Sequence, residues 1–129
     1  MNIKTFAAVA AGIAAAEKFL NALAEGDEYA LMMTFSTLPD SREKARSLLT
    51  AIAAAVAETV RVKAGVPNAS KLPIEAAERK AASAVGYQTL VNVYEYVTAA
   101  ENDIAAYVNV NAAVTELTVK AAAVRRENK

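Results

Sequence analysis

Residues 5–16 read TFAAVAAGIAAA, and residues 51–57 read AIAAAVA. Neither stretch carries a charge. In the first, Phe6, Val9, Ile13 and Ala16 fall at three- and four-residue intervals, and the series runs on through Leu20 and Leu23. That is the spacing of one helix face. Alanine fills most of the remaining positions and loses no side-chain entropy in a helix. The bias extends to the whole chain, where alanine makes up about a quarter of the 129 residues. Only four glycines interrupt it, with three prolines at 39, 67 and 73. The sequence therefore predicts an all-α fold, an alanine-rich antiparallel bundle of four to five helices in a single domain spanning 1–129.

Working outward, the first helix is expected over about 4–25 and to stop at Gly26, a residue suited to a left-handed cap. Asp27 is placed to cap a short second helix from Glu28 to about Thr37, closed by Pro39. Asp40 followed by Glu43 has the pattern of a capping box and opens a third helix that ends near Ala64, before Gly65. Residues 66–72 form the main loop. Pro73 suits the first position of a fourth helix, because its missing N–H would be unpaired there in any case. The apolar positions Ile74, Ala77, Ala81, Val85, Leu90, Val91, Tyr94 and Val97 extend that helix toward 98–103, where the pattern falters and the helix either bends and continues or gives way to a fifth near Asp103. The last segment spaces Tyr107, Val110, Val114, Leu117, Ala121 and Val124 as a helix would. A strand over 107–111 competes, since Tyr107, Val108, Asn109, Val110 and Asn111 alternate, but the helical spacing lasts longer.

The N-terminal run resembles a signal peptide, with Lys4 ahead of an apolar stretch and Ala14-Ala15-Ala16 as a cleavage site. The helical stripe passes straight through that site, so an uncleaved helix is expected. Twelve uncharged residues fall short of the ~20 that a spanning helix needs. The compartment stays open; the expectation is a soluble protein, cytoplasmic or virion-associated sooner than secreted.

The chain has fourteen basic and fourteen acidic residues. It lacks the basic excess of a strong sequence-independent nucleic-acid binder. The charges segregate into blocks, net −2 over 1–28, +3 over 40–80, −4 over 95–116 and +3 over 120–129. Surfaces of opposite sign could then pair within one chain or between copies.

Cysteine, histidine and tryptophan are absent. Thiolate chemistry and disulfides are thereby excluded, along with the commonest metal ligand and the commonest general base. Ser36, Ser41, Ser47, Ser70 and Ser83 have no histidine to activate them. No phosphate-binding glycine loop is present. Glu75 and Glu78 adjoin Arg79 and Lys80 and read as a solvated, salt-bridged face. No catalytic residue, metal or cofactor is expected. Arg42, Lys44 and Arg46, near a helix start, are the candidates for binding a small anionic ligand.

Two helices have no polar back in their middles, and helices apolar all round are usually covered on more than one side. Ala8, Gly12 and Ala16 also line one face four residues apart, which would let another backbone approach closely. The first and third helices are expected to pack tightly, with part of the alanine surface buried between copies of the chain. Interface candidates are Phe6, Ala8, Gly12, Ile13 and Ala16, together with Tyr87, Tyr94 and Tyr107. The expected function is a non-enzymatic structural protein, a self-assembling homo-oligomeric bundle protomer such as a viral coat (capsid) or virion component. The alternative is a small helical binding module that sequesters a ligand or inhibits a partner protein.

Overall fold

The computed structural model describes residues 3–36 and 41–128, without the side chains of 4–8. Six helices follow in order: α1 (Ile3–Glu25), α2 (Glu28–Met33), α3 (Arg42–Lys63), α4 (Glu75–Ala84), α5 (Tyr87–Ala105) and α6 (Val110–Glu127). The described residues contain no strand. The fold is the expected all-α bundle, built from six helices instead of four or five.

The termini explain where each helix stops. At the end of α1, Gly26 N donates to Leu23 O and Asp27 N to Ala22 O, with Gly26 at φ +68°. Gly65 closes α3 in the same way, at φ +80°. This 6→1 and 5→2 pairing satisfies carbonyls that the helix leaves unpaired, and it needs a left-handed residue that glycine supplies without strain. A third copy ends α5, where Val108 N donates to Asp103 O and Tyr107 N to Ile104 O. There the left-handed residue is Tyr107, at φ +67°.

Several sequence expectations shift. The second helix ends at Met33, and 34–36 turn, short of the expected end near Thr37. The cap of α3 is Ser41, whose hydroxyl accepts from Lys44 N at 3.1 Å; Thr37, Pro39 and Asp40 lie outside the described residues. Pro73 stands two residues before α4 instead of opening it. The expected long fourth helix is broken at Val85–Gly86; over 98–103, where the sequence allows either a bend or a new helix, α5 is continuous, and the turn comes at 106–109. Asn109 caps α6 by accepting from Ala112 N.

A distant residue stabilises the Val85–Gly86 break. Asn128 Oδ1 accepts from Gly86 N at 2.8 Å, and its Nδ2 donates to Ala84 O. The end of α6 thus meets the start of α5, and the two helices run antiparallel. Nearby, Arg125 donates to Leu23 O at 2.7 Å and Ala24 O at 3.1 Å, placing a cation on the negative end of the α1 dipole. One end of the bundle therefore gathers the ends of α1, α4 and α6 with the start of α5.

The core is one cluster, centred on Phe19, Leu20, Leu49, Ile52, Leu90, Val97 and Leu117. Its most extensive helix pair is α1 with α3. Gly12 is buried there, and a Cβ added to it would lie 3.0 Å from the Ala51 Cβ. The close approach expected between these two alanine-rich helices is present.

Candidate interaction surface

The α1 turn and the Asp27 cap lay α2 across α6. Asp27 Oδ1 accepts from Ala30 N at 3.0 Å. Leu31 then faces inward, and Phe35 packs edge-on against Phe19, with ring centroids 6.3 Å apart. Six residues of helix cannot bury every apolar side chain they carry. Tyr29, Met32 and Met33 face out, Met32 at 61% exposure.

Between α2 and α6 runs a groove of about 360 Å3. Met32 and Phe35 form one wall, and Val114, Thr118, Val119 and Ala122 form the other. Val119 is 61% exposed. Thr118 adds little polarity to the wall, because its hydroxyl donates back to Val114 O. An Arg126–Glu28 ion pair, Asn111 and Thr115 complete the lining. The groove falls within the size range of ligand clefts. It is also a surface that a second protein could fill.

A second uncovered apolar surface lies on α1. Gly12 and Ala16 face into the chain and Ile13 packs against the core, so α3 and its neighbours cover the described part of the small-residue stripe. Val9, Ala10, Ala11 and Ala14 remain exposed, Val9 at 47%. The side chains of Phe6 and Ala8 lie outside the described residues.

The tyrosine candidates do not gather with either surface. Tyr87 and Tyr94 are exposed on α5, Tyr107 is 82% exposed in the α5–α6 turn, and none of them lines the groove. Of the anion candidates, Arg42 is already engaged. Its Nη1 donates to Ile104 O at 3.0 Å and Val108 O at 2.6 Å, and its guanidinium sits 5.2 Å from the centre of the Tyr107 ring. It caps α5 across the turn that Tyr107 strains. Lys44 and Arg46 are exposed.

The solvated carboxylate face expected at 75–78 is half right. Glu75 pairs with Arg79 at 2.7 Å on the surface. Glu78 is 0% exposed. The reason is visible in the spacing, since 78 lies four residues after Ile74 and three before Ala81, on the apolar stripe itself. Glu78 Oε1 accepts from the Ser70 hydroxyl, and among the described residues Oε2 has no hydrogen-bond partner. Glu58 of α3, also buried, accepts from Lys71 N at 3.0 Å and Leu72 N at 3.2 Å through Oε1. Burial pushes the Glu78 carboxyl up to about 7; the neighbouring Glu58 carboxyl adds to the rise, and the Ser70 hydroxyl opposes it.

Among the described residues, no three acidic side chains converge as metal ligands would, and no helix is long and apolar enough to cross a membrane. Comparison with protein-family models, with curated proteins and with solved structures returns no match.

The groove had a partial signal in the sequence. Met32 and Met33 crowd a helix too short to hide them, and Val119 stands off the buried stripe of α6. Nothing local announced that the two would face the same cleft.

Proposed function

We propose that this protein is a structural protomer and not an enzyme, assembling with copies of itself through the α2–α6 groove. The observation that carries this reading is the uncovered apolar groove, with Met32 and Val119 both exposed on its walls. The occupant we assign is the exposed face of α1 from a second copy. That face presents Val9, Ala10, Ala11 and Ala14, and no charge falls between Lys4 and Glu17. An uncharged helix face can enter an apolar groove without desolvating an ion, and each surface buries what the other leaves wet. The two patches differ, so copies can join head-to-tail into a ring or a filament, or pair reciprocally with each α1 in the other's groove. A coat or virion component is one form such an assembly takes.

The second reading, a binding module, rests on the same groove, whose size also suits a small, largely apolar ligand. Two substitutions and a mixing experiment separate the readings. Val119→Glu puts a charge in the groove and Val9→Glu puts one on α1; both sites are exposed enough to spare the fold. On the assembly reading, each variant alone is monomeric, and an equimolar mixture forms a 1:1 pair across the one contact still intact. Native mass spectrometry showing a monomer with a co-purified small molecule would favour the module instead.

A further inference from the structure

Residues 66–74 link α3 to α4 with little secondary structure of their own. Two buried glutamates hold them. Glu58 Oε1 takes the backbone N–H groups of both Lys71 and Leu72. Glu78 Oε1 takes the Ser70 hydroxyl, and the Ser70 Oγ also lies 3.5 Å from Leu72 O. The segment in turn tucks Ala69 and Ile74 out of water and packs Leu72 against the core.

The charges around this cluster are unbalanced. Glu58 faces Glu78 from α3, and Glu75 adds a third carboxylate from one turn back on α4. Three of the bases nearby are engaged elsewhere, and Arg61, one turn beyond Glu58 on α3, is exposed. Arg79 pairs with Glu75, Lys80 pairs with Glu25 of α1 at 2.6 Å, and Lys63 of α3 donates to Ala82 O at 2.9 Å. Lys71 is exposed. Among the described residues, no ion pair reaches Glu58 or Glu78. Two ionised carboxylates in one buried site repel, and neither has a counter-ion to offset its lost hydration.

We propose that Glu78 keeps its proton in this site beside Glu58, and that this proton is a latch keeping residues 66–74 folded against α3 and α4. Loss of the proton to solvent leaves two buried negative charges, relieved when the segment lifts and admits water. The latched form then binds its proton more tightly than the released form does. Release becomes easier as pH rises through the interval from the ordinary carboxylate value of 4.5 to about 7, and levels off above it.

Carbon-detected NMR of the glutamate carboxyls tests the latch in the unmodified protein. The Glu78 signal should titrate near pH 7; a midpoint close to 4.5 overturns the proposal. Hydrogen exchange at 66–74, corrected for the intrinsic pH dependence, should lose protection by on the order of 100-fold between pH 4.5 and 7.5. Glu78→Gln keeps the shape without the titration and should flatten that profile; an unchanged profile overturns the proposal. Glu58→Gln removes the facing charge and should lower the Glu78 midpoint. An unmoved midpoint shows that Glu58 does not hold the proton on Glu78 and overturns that part of the proposal.

Discussion

Gly12 is the position where the packing of this bundle is most open to measurement. A methyl group there would sit 3.0 Å from the Ala51 Cβ. Carbon atoms in ordinary contact stand about 3.5–4.0 Å apart, so α1 and α3 would have to separate by about 0.5–1 Å. Two terms oppose each other in Gly12→Ala. Helix propensity favours alanine by about 1 kcal/mol, and overpacking a fitted core costs about 1–3 kcal/mol. Steric cost prevails, because the obstacle is a Cβ fixed to its backbone, with no rotamer by which to yield. We expect Gly12→Ala to lose about 1 kcal/mol. Ala51→Gly alone should lose a similar amount through propensity and lost contact. The double variant moves the methyl from α3 to α1 and should return close to the parent, a coupling of about 1–2 kcal/mol within the usual range for residues in contact. Urea denaturation followed by circular dichroism, at one pH and at low protein concentration, measures all four corners. A stabilised Gly12→Ala with no coupling to Ala51 would refute the close approach.

Three more predictions follow from the helix ends and the buried carboxyls. The folded-state value of Glu78 is raised from 4.5 to about 7, so its stabilising contribution is complete below pH 4.5 and declines as pH rises to 7. At about 1.4 kcal/mol per pH unit the loss reaches about 3 kcal/mol; it should appear as the difference between the urea-stability profiles of the parent and Glu78→Gln. Arg125→Ala removes two charge-assisted bonds to the end of α1 and should cost about 2 kcal/mol in the same assay. Tyr107→Gly relieves a left-handed tyrosine worth about 1–2 kcal/mol and gives up an exposed cation–π contact worth about 0.5–1 kcal/mol. Thermal melts should show a small net gain; a loss would mean that the Arg42–Tyr107 contact outweighs the strain.

The contrast between Gly26 and Gly86 shows what the sequence could reveal. Gly26, Asp27 and Gly65 act within a turn of themselves, so their chemistry alone located three helix ends. Gly86 breaks a helix because Asn128, forty-two residues away, satisfies the backbone it frees. A contact that remote leaves no local pattern, and the apolar stripe from 74 to 97 runs on as though the break were absent. Tyr107 misled for a related reason. It fits the helical spacing of α6, yet it occupies a left-handed position that Arg42 supports from another helix. Glu78 could have been found, since its spacing places it among Ile74, Ala81 and Val85; the nearby Arg79 and Lys80 made a surface reading look natural. The groove was the least legible feature, since it exists only where α2 crosses α6.

Assembly is the central claim, and sedimentation equilibrium over a wide concentration range tests it most directly. Association beyond the monomer should grow with concentration in the parent protein and vanish in Val119→Glu at the same loading. A parent protein that stays monomeric at the highest concentration reached would contradict the account.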